Sequence, residues 1–405
     1  MKNKSIYHWL VMACCCCLMA VSLGLSFNCA GVFYQPVADH LGVGRGDVQL
    51  YITIMSLVSA FTAPLAAANV KKISLFLWLL TGGLCIVLPL ASWSVVTAIW
   101  QMYVAAVFHG IGNTMLGAVV VNMTIGNWFH KKTGLVMGIV FSFSGITGAL
   151  LSPVFQSIIT ASGWKFAHML VAVVSAVLIL PSLFLIRMTP EEKGYLPYGF
   201  DGGYAVTAKA KASGSGKVKY SLFLIVGIIA VTFVASFNTG LGQNTKDYAT
   251  LVGYTAENGA FLISAVMVGN MSSKLLFGIL SDKFGARRTL IIWEIVVISG
   301  ILSLLLLKNI TFAFMVIGAY FLGYCYSIGG VGMSQLTRDY FSADDSPKYY
   351  AWATMSGNIG AALASAVIGY IYDFTGGYSV SLTLCAVMAV CAFIIVLGIG
   401  RMKKA

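Results

Sequence analysis

Gly278-Ile279-Leu280-Ser281-Asp282-Lys283-Phe284-Gly285-Ala286-Arg287-Arg288 is a short polar island between two long apolar runs. Its glycines permit a tight turn between two helices. The carboxylate of Asp282 suits a neighbouring helix end or an arginine. An ordinary basic loop would account for Lys283, Arg287 and Arg288, but not for the aspartate or the glycine spacing. The runs on either side decide the class. Of 405 residues, 59% are hydrophobic and 9% charged, where a soluble domain carries about 25% charged residues. A chain this apolar takes lipid as its solvent.

Each run has the length of about 20 residues that a 30 Å hydrocarbon core requires. Working outward from the island places spans near 9–33, 48–68, 73–93, 97–124, 133–160 and 166–187. A second set follows near 220–243, 257–280, 289–307, 310–335, 349–371 and 379–400. The runs are continuous rather than alternating, which excludes a barrel. The net charge of +12 would suit nucleic acid, but its distribution rejects that partner. With the N-terminus inside, twenty of the 25 Lys and Arg are cytoplasmic, among them Lys71, Lys72, Lys131, Lys132, Lys283, Arg287, Arg288, Arg401, Lys403 and Lys404. Arg45, Lys165, Lys246 and Lys308 fall outside, and Lys274 alone falls within a span. This is the positive-inside asymmetry, and it predicts both termini in the cytoplasm of a cell-membrane protein.

The first run, after Lys2 and Lys4, is too long for a signal peptide and is read as a retained helix. Cys14 to Cys17 stand in succession. Successive helical residues point about 100° apart, so these thiols are expected to pack rather than to share a metal.

The chain divides at its most polar stretch, giving an N-terminal bundle over 1–188, a cytoplasmic linker over 189–219 and a C-terminal bundle over 220–405. The linker contains Thr189-Pro190-Glu191-Glu192-Lys193-Gly194 and Ala212-Ser213-Gly214-Ser215-Gly216, a flexible composition. The halves repeat. Asn127-Trp128-Phe129 precedes Ser144-Gly145-Ile146-Thr147-Gly148-Ala149, and Asp339-Tyr340-Phe341 precedes Ser356-Gly357-Asn358-Ile359-Gly360-Ala361, with sixteen residues from Phe to the first Gly in both. Gly163-Trp164 and Gly377-Tyr378 follow. The expected fold is all-α and integral to the membrane: twelve helices in two pseudo-symmetric six-helix bundles, related by an axis along the membrane normal.

The opening stretch resembles the G-x-x-x-D-K/R-x-G-x-R/K-R/K loop of the major facilitator superfamily. The resemblance implies that Gly278, Asp282, Lys283, Gly285, Arg287 and Arg288 form a conformational latch broken as the halves rock. The equivalent loop of the first half, Ala63 to Lys72, departs from it, with Ala67 in place of the aspartate and Val70 in place of the glycine. Within the superfamily the chain is similar to monocarboxylate porters and bacterial oxalate:formate antiporters. Gly31-Val32-Phe33-Tyr34-Gln35-Pro36, Asn127-Trp128-Phe129-His130-Lys131-Lys132-Thr133-Gly134-Leu135 and Pro190-Glu191-Glu192-Lys193-Gly194-Tyr195-Leu196-Pro197 carry that likeness.

A charge such as Lys274 costs roughly 2.5–3.5 kcal/mol to insert near the bilayer centre, and a substrate carboxylate would relieve that cost. The resemblance aligns Lys274 with the substrate-binding arginine of the porters. The competing reading is that Lys274 snorkels to the headgroups, about 12 Å away along the helix near Asp282. Asn270 stands where proton-linked porters carry an aspartate, and Asn28 where animal members carry a lysine. Met355 or Ser356 stands where oxalate:formate antiporters carry a second cation. One central cation fits a monoanion better than oxalate. His109 is a candidate for a coupling proton or a neutral residue bonded between helices. Glu294 is expected to pair with Arg287 or Arg288, and Glu257 to mark an outer helix end. Tyr324 and Trp352 are candidate cavity residues, with Tyr320 and Tyr326 beside them.

The expected function is alternating-access transport of a small organic anion, a monocarboxylate, by a monomer. A proton or a counter-anion is the coupling partner, and the antiporter-like segments lean toward exchange. No cofactor or metal is called for. Efflux of neutral or anionic drugs on the same fold is the rival reading, and a nutrient sensor the weaker one, since the tails are short. Nothing in or beside the spans forms a nucleophile–base set, phosphate loop or metal-spaced histidine pair, so an enzyme is not expected.

Overall fold

In hydrocarbon a backbone amide finds no water, so an apolar run closes its hydrogen bonds within itself as a helix. The computed structural model describes residues 6–70, 72–200, 220–307 and 310–399. Lys2, Lys4, Lys71, Lys308, Arg401, Lys403, Lys404 and the stretch 201–219 lie outside the described residues, as do the side chains of Arg45, Lys246 and Glu257. Span one covers Ile6–Val32 and span two Arg45–Asn69. Spans three to six are Leu75–Trp93, Ile99–Trp128, Thr133–Ser162 and Trp164–Leu185. Spans seven to twelve are Leu222–Gln243, Ala256–Phe284, Ala286–Leu306, Phe312–Tyr340, Ser346–Thr375 and Ser379–Ile399. Among the described residues, 11 of these are long and apolar enough to cross a membrane. The twelfth, span eleven, runs for 30 residues and is diluted by the Gly, Ser and Tyr residues through which it packs.

The chain forms two compact units, Met1–Gly214 and Ser215–Ala405. Within each, the repeated serine–glycine motif does the same work. In the first unit Gly24 of span one and Thr147 of span five approach so closely that a Cβ on Gly24 would meet Thr147 Cβ at 2.6 Å. A Cβ on Gly148 would meet Asn28 Cβ at the same distance. In the second unit Ser356 Oγ donates to Ile229 O at 2.7 Å, and a Cβ on Gly360 would meet Phe233 O at 2.5 Å. Span five thus seats on span one as span eleven seats on span seven, by the small-residue contacts that hold helices together in lipid.

Three features differ from the sequence expectation. Short helices, Tyr34–Leu41 and Thr245–Leu251, follow the first span of each unit. The island between spans eight and nine is almost wholly helical, and Gly285 alone turns the chain, at φ +84°, where a Cβ would be strained. The first part of the expected linker is folded. Residues Pro190–Lys193 form a 3-10 turn, His8 Nε2 bonds Leu196 O at 2.8 Å, Tyr7 and Tyr195 stack at 5.4 Å, and Phe129 and Tyr198 form a β-bridge. Its three aromatic residues, Tyr195, Tyr198 and Phe200, give this piece something to bury, unlike a glycine–serine tether.

Gly360→Leu drives a side chain into the backbone of span seven. It should cost ~1–3 kcal/mol or more and lower the folded fraction and melting temperature of the purified protein, read by size-exclusion chromatography and a thermal ramp. Gly31→Ala, where a Cβ meets nothing within 4 Å, should leave both unchanged.

Candidate substrate and gating sites

Lys274 lies in the middle of the unbroken 29-residue span eight and is 3% exposed. Asn270 stands one turn earlier on the same face and is fully buried. Glycines set what they face. A Cβ on Gly269 would collide with Tyr320 O, and one on Gly323 with Val266 O and Asn270 N. Spans eight and ten therefore touch backbone to backbone, one turn from Lys274. Span ten breaks at this contact. Its helix Phe312–Leu322 stops at Gly323, and a π-helical turn, Ile328–Gly332, intervenes before Met333–Tyr340. Tyr320 Oη and Ser272 Oγ lie 2.9 Å apart, and Tyr320 Oη and Tyr324 Oη 3.5 Å apart. Trp293 of span nine donates to Ser327 Oγ at 2.7 Å and packs on Tyr324 at 5.2 Å. Asn270 and Tyr324 thus stand at the contact of spans eight and ten, and Lys274 one turn further along span eight. The Lys274 side chain is buried within the unit rather than exposed at its surface.

The other candidates stand elsewhere. Trp352, 41% exposed, is on span eleven, which packs along span seven. Tyr326 donates to Thr239 O of span seven at 3.4 Å. Asn28 belongs to the N-terminal unit, where its Nδ2 donates to Ser144 O at 2.8 Å. It closes a π-helical stretch, Ala20–Asn28, in span one. Glu294 does not pair with the basic island. It is 2% exposed, its Oε1 has no hydrogen-bond partner, and Arg288 is exposed. Seven residues beyond Arg287, Glu294 is two turns deep on the buried face, beyond the reach of a guanidinium that is anchored elsewhere.

That anchor lies at the turn between spans eight and nine. Arg287 donates from Nε to Val396 O at 3.2 Å and from Nη2 to Leu397 O at 2.8 Å, satisfying carbonyls at the end of span twelve. Asp339, the acid of the repeated motif, accepts from Ala286 N at 3.3 Å and sits at the positive end of span nine. Asp282, Lys283 and Arg288 are exposed around this turn, and Gly278 is buried.

His109 of span four is fully buried. Its Nε2 lies 2.8 Å from Ser26 Oγ in the π-helical stretch of span one, and its ring stacks on Trp93 at 5.4 Å. Span four also breaks, at Gly117, where a Cβ would strike Asn113 O. Spans four and ten hold corresponding places in the two units, and both carry the break. Interrupted helices at matching positions are the strongest local pointer to a transporter site. The signal was present as the glycine runs Gly110, Gly112, Gly117 and Gly323, Gly329, Gly330, Gly332.

The comparisons agree with this architecture. The family model described as Major Facilitator Superfamily matches residues 16–269 and 222–404. The oxalate:formate antiporter of Oxalobacter formigenes is 24% identical over 374 residues, covering 88% of this chain and 85% of its own. Monocarboxylate transporter 12 of Mus musculus is 21% identical over 421 residues, covering 98% and 86%. Among solved structures, the fucose:proton symporter FucP of E. coli aligns with a TM-score of 0.69 at 15% identity, over 98% of this chain and 99% of its own. Twelve helices in two six-helix units, a matched family model along nearly the whole chain and a shared fold lead to one statement: this multi-pass membrane protein belongs to the major facilitator superfamily and is a transporter.

Proposed function

We propose that the chain moves a small organic anion, a monocarboxylate, across the cell membrane by alternating access, and that Lys274 is the group that binds it. The observation that carries this reading is the burial of Lys274 in mid-span beside the break of span ten. A buried ammonium stays charged at low cost only with an anion or a dense set of acceptors beside it. A carboxylate substrate supplies the first. Asn270 and Tyr324 offer a neutral amide and a hydroxyl to the remaining carboxylate lone pairs. Asn28 and Trp352 are proposed as secondary contacts. The gating latch is proposed for Gly278, Asp282, Lys283, Gly285, Arg287 and Arg288. The relatives' names, an oxalate:formate antiporter and a monocarboxylate transporter, support the substrate class. One buried cation in span eight favours a monoanion over a dianion.

The positive-inside asymmetry supports both termini in the cytoplasm, with the island between spans eight and nine on that side. With Cys391→Ser removing the exposed native thiol, a membrane-impermeant maleimide applied outside intact cells should label Val95→Cys and spare Lys283→Cys. Labelling in the opposite sense would invert the topology.

In proteoliposomes loaded with unlabelled formate, acetate or lactate, the purified protein should take up the corresponding labelled anion by counterflow. Lys274→Ala should reduce that uptake at least tenfold, equivalent to about 1.4 kcal/mol of lost binding, while the protein stays folded. Lys274→Arg should retain part of it, since the charge persists but the fork differs in shape. Wild-type counterflow in the alanine variant would remove Lys274 from the site.

A further inference from the structure

The N-terminal unit holds a second buried group of polar atoms that anion binding does not use. His168 of span six is 3% exposed. Its ring stacks on Phe33 at 4.0 Å and meets Trp93 edge-on at 5.7 Å and Trp164 at 5.9 Å. His109 lies against Trp93 at 5.4 Å, nearly parallel, and the two imidazoles are within electrostatic reach of each other. Four buried nitrogens of these three rings have no hydrogen-bond partner: His109 Nδ1, His168 Nδ1, His168 Nε2 and Trp93 Nε1. Buried polar groups are nearly always satisfied, and unsatisfied ones cost about 1–3 kcal/mol each. Four in one aromatic pocket mark a place built for something polar.

The hydrogen bonding identifies what. Ser26 Oγ donates its proton to Val21 O at 2.9 Å, so toward His109 it is an acceptor. The His109 nitrogen 2.8 Å away, Nε2, is therefore the N–H donor. In a neutral imidazole the other nitrogen is then a bare lone pair, and that atom is the unpartnered Nδ1. His168 likewise has one bare nitrogen whichever tautomer it adopts. Each of the two bare imidazole nitrogens in this pocket is an atom that can accept a proton. They take one proton rather than two, because two like charges this close repel strongly in a low dielectric. On the outer side, Trp164 also meets the exposed His40 at 5.3 Å. At the other end, Ser26 joins the pair to the π-helical stretch of span one, two residues before Asn28.

The surroundings leave the pair as the proton's seat. The titratable side chains on the elements packed around it are Tyr7, His8, Cys14 to Cys17 and Cys29 of span one, with Tyr34, Tyr51, Cys85 and Tyr103, and His40 at the surface. The carboxylates there, Asp39 and Asp47, are exposed, as is Lys165.

We propose that His109 and His168 together form the proton-binding site of this transporter, holding one exchangeable proton that travels with the anion. This rests on the anion reading above. One proton and one monoanion moving together carry no net charge.

Two measurements test the proposal. In detergent, protonation next to Trp93 should quench its fluorescence. A titration of the wild-type protein from pH 4.5 to 8.5 should show a single reversible transition, absent in Trp93→Phe and in His109→Gln. This readout needs no substrate, so it stands even if no carboxylate is transported. In proteoliposomes, the ratio of pH-gradient-driven uptake to counterflow of labelled lactate should fall at least tenfold in His109→Gln and in His168→Gln. A flat wild-type titration, or one that persists in Trp93→Phe, overturns the proposal. So does pH-driven uptake that keeps the wild-type ratio in both glutamine variants. If counterflow is absent for every carboxylate while the Trp93 transition is present, the anion reading fails and the proton site stands.

Discussion

Each backbone amide inside the hydrocarbon must be bonded within its own helix, and the rest of the structure follows from that demand and from the places where it is relaxed. Where the helices are regular, as in span eight, they serve as rigid rods. Where they break, at Gly117 and Gly323, or widen into π-helix, over Ala20–Asn28 and Ile328–Gly332, neighbouring helices must complete the backbone's needs. Relaxing the rule is affordable only where protein rather than lipid surrounds the break. These sites are therefore interior and densely packed, with polar residues tolerated beside them. Lys274 and Asn270 lie against one break, and Ser26 and Asn28 lie within one widened stretch.

Glycine makes such proximity possible. At Gly269 and Gly323 the two backbones are so close that either Cβ would overlap a carbonyl of the opposite helix. At Gly285 the requirement is conformational rather than spatial, since nothing lies within 4 Å and φ is +84°. The same residue type thus serves two purposes in span eight and its exit, one allowing the close helix contact and the other forming the turn. The turn is held from two directions: Arg287 ties it to the end of span twelve and Asp339 to the end of span ten.

Much of the fold was legible because membrane helices announce themselves by run length and flanking charge, with no need to infer packing. The repeat was legible because the serine–glycine motif is under the same spatial demand in both units. The breaks in spans four and ten were harder. A run such as Gly110 to Gly117 reads equally as close packing of an intact helix, and only the neighbouring helix decides which it is. Glu294 was misjudged because sequence distance from Arg287 suggested a partner, whereas helix phase turned the carboxylate inward. His168 escaped notice for the opposite reason: a histidine one turn inside a span beside Trp164 looks like an interfacial residue, and its importance comes from Trp93 and His109, distant in sequence. Tyr324 and Lys274 stand on helices that meet, whereas Trp352 stands on span eleven, which packs along span seven.

The position of Asn270 bears on how a proton and an anion can be linked. A carboxylate one turn from the cation would link them directly, since proton and substrate would compete for roles in a single charge pair. With an amide at that position, residue 270 cannot form such a pair. The proposed proton site is instead in the N-terminal unit and the proposed anion site in the C-terminal unit, so the linkage runs through conformation. Thermodynamics requires only that each ligand bind one state better than the other, and the coupling is then reciprocal. The π-helical stretch of span one is suited to this, because Ser26 takes its hydrogen bond from His109 while Asn28, two residues on, donates to Ser144 of span five. In the proposed scheme a proton gained on His109 changes the charge at one end of that stretch, while Asn28 at the other end bonds span five. Under these two proposals the anion and the coupling ion are chosen by residues of different units.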